Sequence, residues 1–523
     1  MSTTAPAGTA PDKGFRRAAV ILLGLLGAIQ VADPLISSLA LVKASDELNF
    51  SASTQSLAAG ISTLALAATA IPGGMLADRY GRRLLLALSV LVATAGQLMT
   101  ATAGLIDPKA GTAVLFYLLG RIITGVALGV TFGASYGMLR NVSSQKSLGP
   151  AMATYNIVNG IIPVIAMVLG GVLIGINWRL AYLILPVISV IAFFFVKPIL
   201  PKIDKLPASK VDYLGMLFVA IGIAGLLYGI SGATNGFDHP AFYVPVIIAI
   251  ISLVFFGIRE NRTKAPVFPI KLLSHPAFLG AVVMGIFWNM ASASMSQMLP
   301  NIWQYVTHIP AALLGAASLP MSAAGIIGSV IAGAALGKGS MPRTTSVIGY
   351  ALMVIGFFSY VTLTPTASYM LFLPGMIIAA TGWMMNATSQ GNLFITLAPA
   401  KFYGPVTSSK LAVGQFGYAL GLTGSTVMVS MFTLSGVSKA TKGAVAGDSN
   451  WDSITSYLAT GKTTDTALSA VSTSDLAGIY TSAFITTIVI VAVVTAVAGA
   501  VMYLLLKNKK ASIPVDEYLG LTN

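Results

Sequence analysis

The strongest constraint on this chain is the repetition of apolar runs about twenty residues long. A helix rises 1.5 Å per residue, so roughly 20 apolar residues cross a hydrocarbon core of about 30 Å. Such runs lie at 18–42, 54–77, 84–105, 112–139, 149–175, 179–197, 213–231, 241–258, 277–300, 311–336, 345–363, 368–396, 405–432 and 481–506. The sequence therefore predicts an all-α polytopic membrane protein with fourteen spans. Composition agrees: 56% of the 523 residues are hydrophobic and only 9% charged, too few charges for the surface of a soluble protein this size.

An even number of spans puts both termini on one face. With that face inside, Lys43, Lys109, Arg179, Lys439, Lys442 and Lys462 fall outside and Arg121 lies within a span; every other Lys and Arg sits on the inner side. The positive-inside rule thus predicts cytoplasmic termini. It also accounts for the net charge of +14 without a nucleic-acid partner. The first run is longer than a signal-peptide core and carries an aspartate, so it reads as a retained span.

The Pro-rich basic segment PILPKIDKLPASKVD at 198–212 and the basic stretch RENRTKAPVFPIKLLSHP at 259–276 flank two spans. This predicts a tail 1–17, a six-helix bundle 18–197, a linker with an inserted helix pair 198–276, a second six-helix bundle 277–506 and a tail 507–523. The Ser/Thr/Ala/Gly-rich outer loop 433–480 suits either a small external hairpin or a disordered loop.

Several chemistries are disfavoured. The chain has no cysteine, which excludes disulfides and thiolate metal sites. His239, His275 and His308 sit at or near span ends and form no metal-ligand cluster with acids. No GxxxxGK[ST] phosphate loop occurs. An enzyme is not expected, nor any cofactor beyond a proton gradient.

Asp33 lies near the middle of the first span, where an ionised side chain costs a few kcal/mol even on the lenient insertion scale. Arg121 lies about ten residues from the outer end of the fourth span and needs a partner or a wet cavity. Asp33 is the natural counterpart. Low-dielectric surroundings favour a neutral carboxyl group, and a guanidinium beside it favours the ionised form. A cycle that alters this balance makes Asp33 a proton-coupling group. The alternatives are a permanent ion pair, a kink at Pro34 whose freed carbonyl needs a partner, or a cationic substrate competing for the carboxylate.

The loop after the second span reads PGGMLADRYGRRLLL, with Gly73, Gly74, Asp78, Arg79, Gly81, Arg82 and Arg83. Its glycines permit close helix approach and a tight turn. Asp78 can accept from a helix N-terminus or pair with an arginine, which would latch the inner side. Read blandly, it is a basic membrane-edge turn. This stretch resembles the signature loop of the major facilitator superfamily. AGAALGKGSMPR at 332–343 echoes it, with Gly333 and Leu336 matching Gly73 and Leu76 but Lys338 in place of Asp78. In the fourth span, Arg121 followed by Gly125, Gly129 and Gly133 is similar to the superfamily's fourth-helix motif.

DPLISSLAL in the first span resembles the motif of fourteen-helix drug:H+ antiporters: Asp33, Ala40 and Leu41 match, whereas Leu35, Ser38 and Val42 depart. In the fifth span the antiporter motif's double glycine is present at Gly170 and Gly171; Ala166 and Met167 replace its glycine-proline pair, with Pro163 nearby, and Trp178 and Arg179 follow. The resemblance implies two six-helix bundles plus an inserted pair, internal duplication around a midplane site, and alternating-access export from a bacterial inner membrane.

The implied cargo is a hydrophobic or cationic drug. Trp288, Asn289, Met295, Gln297, Trp383, Met385, Asn386 and Gln390 are candidates for a cavity of aromatic, soft and neutral polar groups. The second half has no intramembrane Asp or Glu, which argues against divalent cations. Export of an endogenous lipid or envelope precursor is the alternative, a non-transporting sensor a further one, and nutrient import fits less well. A monomer is expected.

Overall fold

In the computed structural model, residues 14–105, 107, 111–202, 212–233, 236–263, 266–310, 313–445 and 451–521 are described. Fourteen long helices account for most of them: α1 Arg17–Glu47, α2 Ala52–Tyr80, α3 Arg82–Thr102, α4 Gly111–Tyr136, α5 Leu148–Ile176, α6 Ile184–Ile199, α7 Tyr213–Gly232, α8 Pro240–Glu260, α9 Pro276–Tyr305, α10 Leu319–Gly337, α11 Pro342–Phe358, α12 Leu373–Thr396, α13 Tyr403–Ala440 and α14 Thr473–Lys507. Among the described residues, fourteen segments are long and apolar enough to cross a membrane. Each matches a span expected from the sequence.

Local chemistry sets the ends. Ser51 caps α2 by accepting from the Thr54 N–H at 3.2 Å, and Asp212 caps α7 by accepting from Gly215 N–H at 3.0 Å. Gly81, at φ +99°, makes the turn between α2 and α3 in a backbone region that favours glycine.

Helices α1–α6 enclose one apolar core and α9–α14 a second. The two bundles meet mainly where α2 packs on α13 and α5 on α10. In the inserted pair, α7 lies against both α2 and α13, while α8 packs principally on α7. An Arg259–Asp212 ion pair at 2.7 Å ties the basic ends of α7 and α8 together.

The outer loop departs from expectation. Its described residues are largely helical rather than a hairpin: α13 runs on to Ala440, a short helix spans Trp451–Thr460, and α14 starts at Thr473. The reason is tertiary. Leu434 and Val437 of α13 and Leu476 and Tyr480 of α14 are buried in the second core, so packing sustains helix in a Ser/Thr/Ala-rich stretch of modest propensity. Residues 446–450 lie outside the described residues. So do 1–13 of the first tail, 203–211 of the linker and 522–523 of the last tail.

The described parts of both tails are anchored to the basic face. Arg16 N–H donates to the Val142 carbonyl at 2.8 Å, and Ser144 N–H to that of Gly14 at 3.0 Å. Tyr518 stacks edge-on against His275 at 4.8 Å, and His275 Nε2 lies 3.1 Å from the Ile513 carbonyl.

Candidate functional site

Four helices converge on one carboxylate. Asp33 of α1 is buried, and Arg121 of α4 donates to Oδ1 at 2.7 Å and to Oδ2 at 2.8 Å. Ser62 of α2 donates to Oδ2 at 2.7 Å, and Gln97 of α3 donates to Oδ1. An ionised carboxylate offers about four acceptor positions; all are taken. The pairing expected between Asp33 and Arg121 is therefore present as a bidentate fork. Ser62 and Gln97 escaped the sequence reading because small neutral polar residues recur throughout apolar helices.

The guanidinium has a second neighbour. Arg121 Cζ lies 5.6 Å from the centre of the Tyr182 ring. Tyr182 OH lies 2.6 Å from Tyr117 OH and 3.1 Å from Ser37 OH, one helical turn beyond Asp33. The ion pair thus adjoins a buried hydroxyl cluster reaching from α1 to α4 and the segment before α6. Arg121 Nε is buried without an acceptor.

The loop between α2 and α3 joins the two bundles. Asp78 forms an ion pair with Arg82 and accepts from the backbone N–H of Gly404 at the start of α13. Arg82 also faces the Tyr403 ring, 5.1 Å from its centre. Gly74 abuts Gly404 and Ser408 so closely that a Cβ on Gly74 would overlap the Gly404 backbone. Gly73 packs on Val130 of α4. Arg83 donates to the Lys197 carbonyl at 3.3 Å, and Arg79 lies beside the Tyr80 ring.

A matching contact closes the other side of the seam. Gly149 at the start of α5 meets Gly333 and Leu336 of α10, again with no room for a Cβ. Lys338 projects into solvent, so the second half has no counterpart of Asp78 there. About two turns deeper, Asn156 of α5 donates to Thr388 at 3.0 Å and Ser329 at 3.3 Å, and those hydroxyls lie 2.9 Å apart. Sequence reading missed this bridge, whose members are 173 and 232 residues from Asn156.

Beyond Asn156 the bundles part around a cavity and approach again where Met167 of α5 reaches Gly315. A cavity of about 420 Å³ lies between α5, α10 and α12, with walls that include Gly160, Val164, Met321, Ile326 and Trp383. Of the eight residues expected to line a substrate cavity, Trp383 alone contributes to this one. Met295, Met385 and Asn386 are buried within the second bundle. Trp288 donates to the Gln390 side-chain oxygen at 2.9 Å, and Asn289 to the Gly285 carbonyl at 2.7 Å. Gln297 is half-buried. Their helical phase places most of these side chains against neighbours in their own bundle.

The antiporter-motif residues of α5 are likewise not at a tight helix crossing. Pro163 is buried within the unbroken helix, Gly170 makes only ordinary contacts with Ile36 and Ile184, and Gly171 faces open space. The close crossing of α1 and α5 is made instead by Gly24 and Gly27 against Tyr155, Val158 and Asn159. At the face opposite the basic loops, Glu47 pairs with Arg179 at 2.7 Å and accepts from Trp178 at 2.7 Å, joining α1 to the segment before α6. The three histidines do not come together, and no metal-ligand cluster exists among the described residues.

The family model of the Major Facilitator Superfamily matches residues 19–422. The chain belongs to the Major Facilitator Superfamily. Among relatives, the Multidrug resistance protein B homolog of Mycobacterium tuberculosis (strain CDC 1551 / Oshkosh) is 27% identical over 357 residues, 66% of this chain and 64% of the relative. The match thus spans less than two thirds of that protein. The Puromycin resistance protein pur8 of Streptomyces alboniger is 24% identical over 76% of this chain and 79% of its own. Superfamily architecture is also evident in three dimensions. The proton:xylose symporter XylE bound to 6-bromo-6-deoxy-D-glucose superposes with a TM-score of 0.60 at 13% identity, covering 97% of this chain and 99% of XylE. At that identity the likeness speaks for the fold alone. Fourteen spans in two six-helix bundles plus an inserted pair agree with the resemblance to fourteen-helix drug antiporters.

Proposed function

We propose that the chain is a proton-driven exporter of hydrophobic compounds that works by alternating access, with Asp33 as the proton carrier. The observation that carries this reading is the four-donor cage around Asp33, drawn from three helices other than its own. Movement among α1–α4 that withdraws Arg121 changes the balance between carboxylate and neutral acid. Names of relatives that refer to drug resistance support efflux, and the largely apolar wall of the α5–α10–α12 cavity suits hydrophobic cargo.

The cage also narrows the mechanism. With all four acceptor positions filled, a cationic compound gains Asp33 only by displacing Arg121 or Gln97. A proton also needs one donor withdrawn, but only one, and the same movement that withdraws Arg121 supplies it. Exchange in this reading is therefore conformational, not direct competition of drug and proton at one carboxylate. In this reading the basic face lies in the cytoplasm, as the positive-inside rule expects, and the packed α2–α13 and α5–α10 ends then correspond to a cytoplasm-closed state. Asp78 and Arg82 then act as the latch of that state.

The test is reconstitution of the wild type and Asp33→Asn in liposomes under an imposed proton gradient, with lumenal pH followed as lipophilic compounds are added. Compound-triggered proton movement in the wild type, lost in the variant while binding persists, supports the reading. Equal movement in both reduces Asp33 to a structural ion pair. No movement with any compound refutes proton-driven export.

A further inference from the structure

In the second bundle, Lys410 is the only Asp, Glu, Lys, Arg or His more than one turn inside any of α9–α14. It lies in the eighth position of α13, half-buried, and it forms no ion pair among the described residues. Its stem runs beside Gly391 of α12. Its ammonium crosses to the other bundle and rests on the Tyr136 ring of α4, 5.1 Å from the centre. Tyr136 in turn contacts Tyr155 edge-on at 5.7 Å, and the Tyr136 hydroxyl is buried without a hydrogen-bond partner among the described residues.

Asp33 and Lys410 therefore have opposite status. Asp33 is neutralised within its own bundle, whereas Lys410 is held across the interface by an aromatic face alone. A cation on a ring is attracted far less strongly than a cation on a carboxylate or phosphate. That contact also exists only while the basic ends of α4 and α13 are together. When they part, an ammonium and the Tyr136 hydroxyl face the opened space; Asp78 loses its Gly404 contact in the same motion but keeps its ion pair with Arg82 of its own bundle.

We propose that Lys410 recognises an anionic group, so that the preferred cargo is an amphiphile carrying one carboxylate or phosphate. Its ammonium binds the anion when the basic face is open. On closure the ammonium returns to the Tyr136 ring, and the anion loses its partner and leaves. Tyr136 is thus a competitor built into the opposite bundle, giving one affinity in each state. This inference rests on the export reading for direction but not for binding, and the experiment separates the two.

The probes are dansyl-undecanoic acid, its methyl ester and the lipophilic cation ethidium, titrated onto the purified full-length wild type, Lys410→Gln and Lys410→Arg. The acid is expected to bind the wild type about tenfold more tightly than the ester, with Lys410→Gln abolishing the preference, Lys410→Arg keeping it, and ester binding unchanged in all three. Unchanged ester binding shows that the variants are folded. Displacement of the bound acid by lysophosphatidic acid at lower concentration than by decanoate assigns a phospholipid source; the reverse order assigns carboxylate compounds. Equal binding of acid and ester to the wild type, or a preference that survives in Lys410→Gln, overturns the proposal. In parallel, gradient-driven movement of each probe in liposomes reads the export mechanism. Its loss with the acid preference intact would remove export and leave the anion site standing.

Discussion

Arg121 holds both carboxylate oxygens of Asp33 across 88 residues of sequence, at 2.7 and 2.8 Å, with both side chains almost entirely buried. A pair this deep contributes less net stability than its geometry suggests, because both ions lose their hydration. Breaking it from one side is another matter. Arg121→Leu leaves a buried carboxylate with two donors and is expected to cost about 3–5 kcal/mol. Asp33→Asn with Arg121→Leu is expected to recover part of that loss, since the unpaired charge is gone. Thermal unfolding in detergent of both single variants and the double variant gives the coupling; strict additivity would show that the two residues do not interact.

Gln97 and Ser62 each fill one acceptor position on Asp33. Gln97→Leu is expected to destabilise the protein by about 1.5–3 kcal/mol, the usual worth of a hydrogen bond to a charged group. Gln97→Glu sets a second carboxylate beside the first and is expected to be worse. Melting temperatures that order the other way would argue that Gln97 is not a donor to Asp33.

Closure at the basic face depends on Gly74 and Gly404 touching backbone to backbone. Gly404→Leu is expected to hold α2 and α13 apart and abolish transport while leaving each bundle folded. The chain lacks cysteine, so a single Gly160→Cys reporter on the cavity wall can read this directly. A membrane-impermeant maleimide added from the basic side should label it much faster in the Gly404→Leu background. Unchanged labelling would mean that the seam opens elsewhere.

Asn156 spans the seam with two hydrogen bonds to hydroxyls of the other bundle. Asn156→Ala removes them from the closed state, at about 1 kcal/mol each, and should shift the population towards a basic face that is open. The same cysteine reporter is expected to react several-fold faster from the basic side. Slower reaction would indicate that Asn156 stabilises the open state instead.

The fold was legible because membrane solvent leaves few choices: a run of twenty apolar residues must satisfy its backbone internally. Asp33 and Arg121 were legible as a pair for the same reason, since isolated charges at that depth are too costly. Gln97, Ser62 and Asn156 were not, because a neutral amide or hydroxyl can satisfy itself on its own helix, and only the packing shows whether it does. Where the residues named for a substrate cavity come to lie depends on helical phase as well as chemistry. Met295 and Met385 have suitable chemistry, but helical phase turns them into the bundle, whereas Val164 and Ile326 are ordinary aliphatics that phase brings to the cavity. The 433–480 segment failed differently, as helix was sustained there by partners the local composition does not announce.

The placement of α7 and α8 has a consequence for traffic with the bilayer. Two long seams separate the bundles, one along α2 and α13 and one along α5 and α10. The inserted pair leans on the first, with α7 touching both of its walls and α8 outside it. Along the second, Ile161, Ile165 and Ile327 are exposed, and the cavity lies just behind them. The molecule is therefore sided in the plane of the membrane: one flank is shuttered and the other borders the acyl chains. A lipophilic compound arriving sideways would meet a single doorway, and its orientation on entry would be set before any charged group is reached.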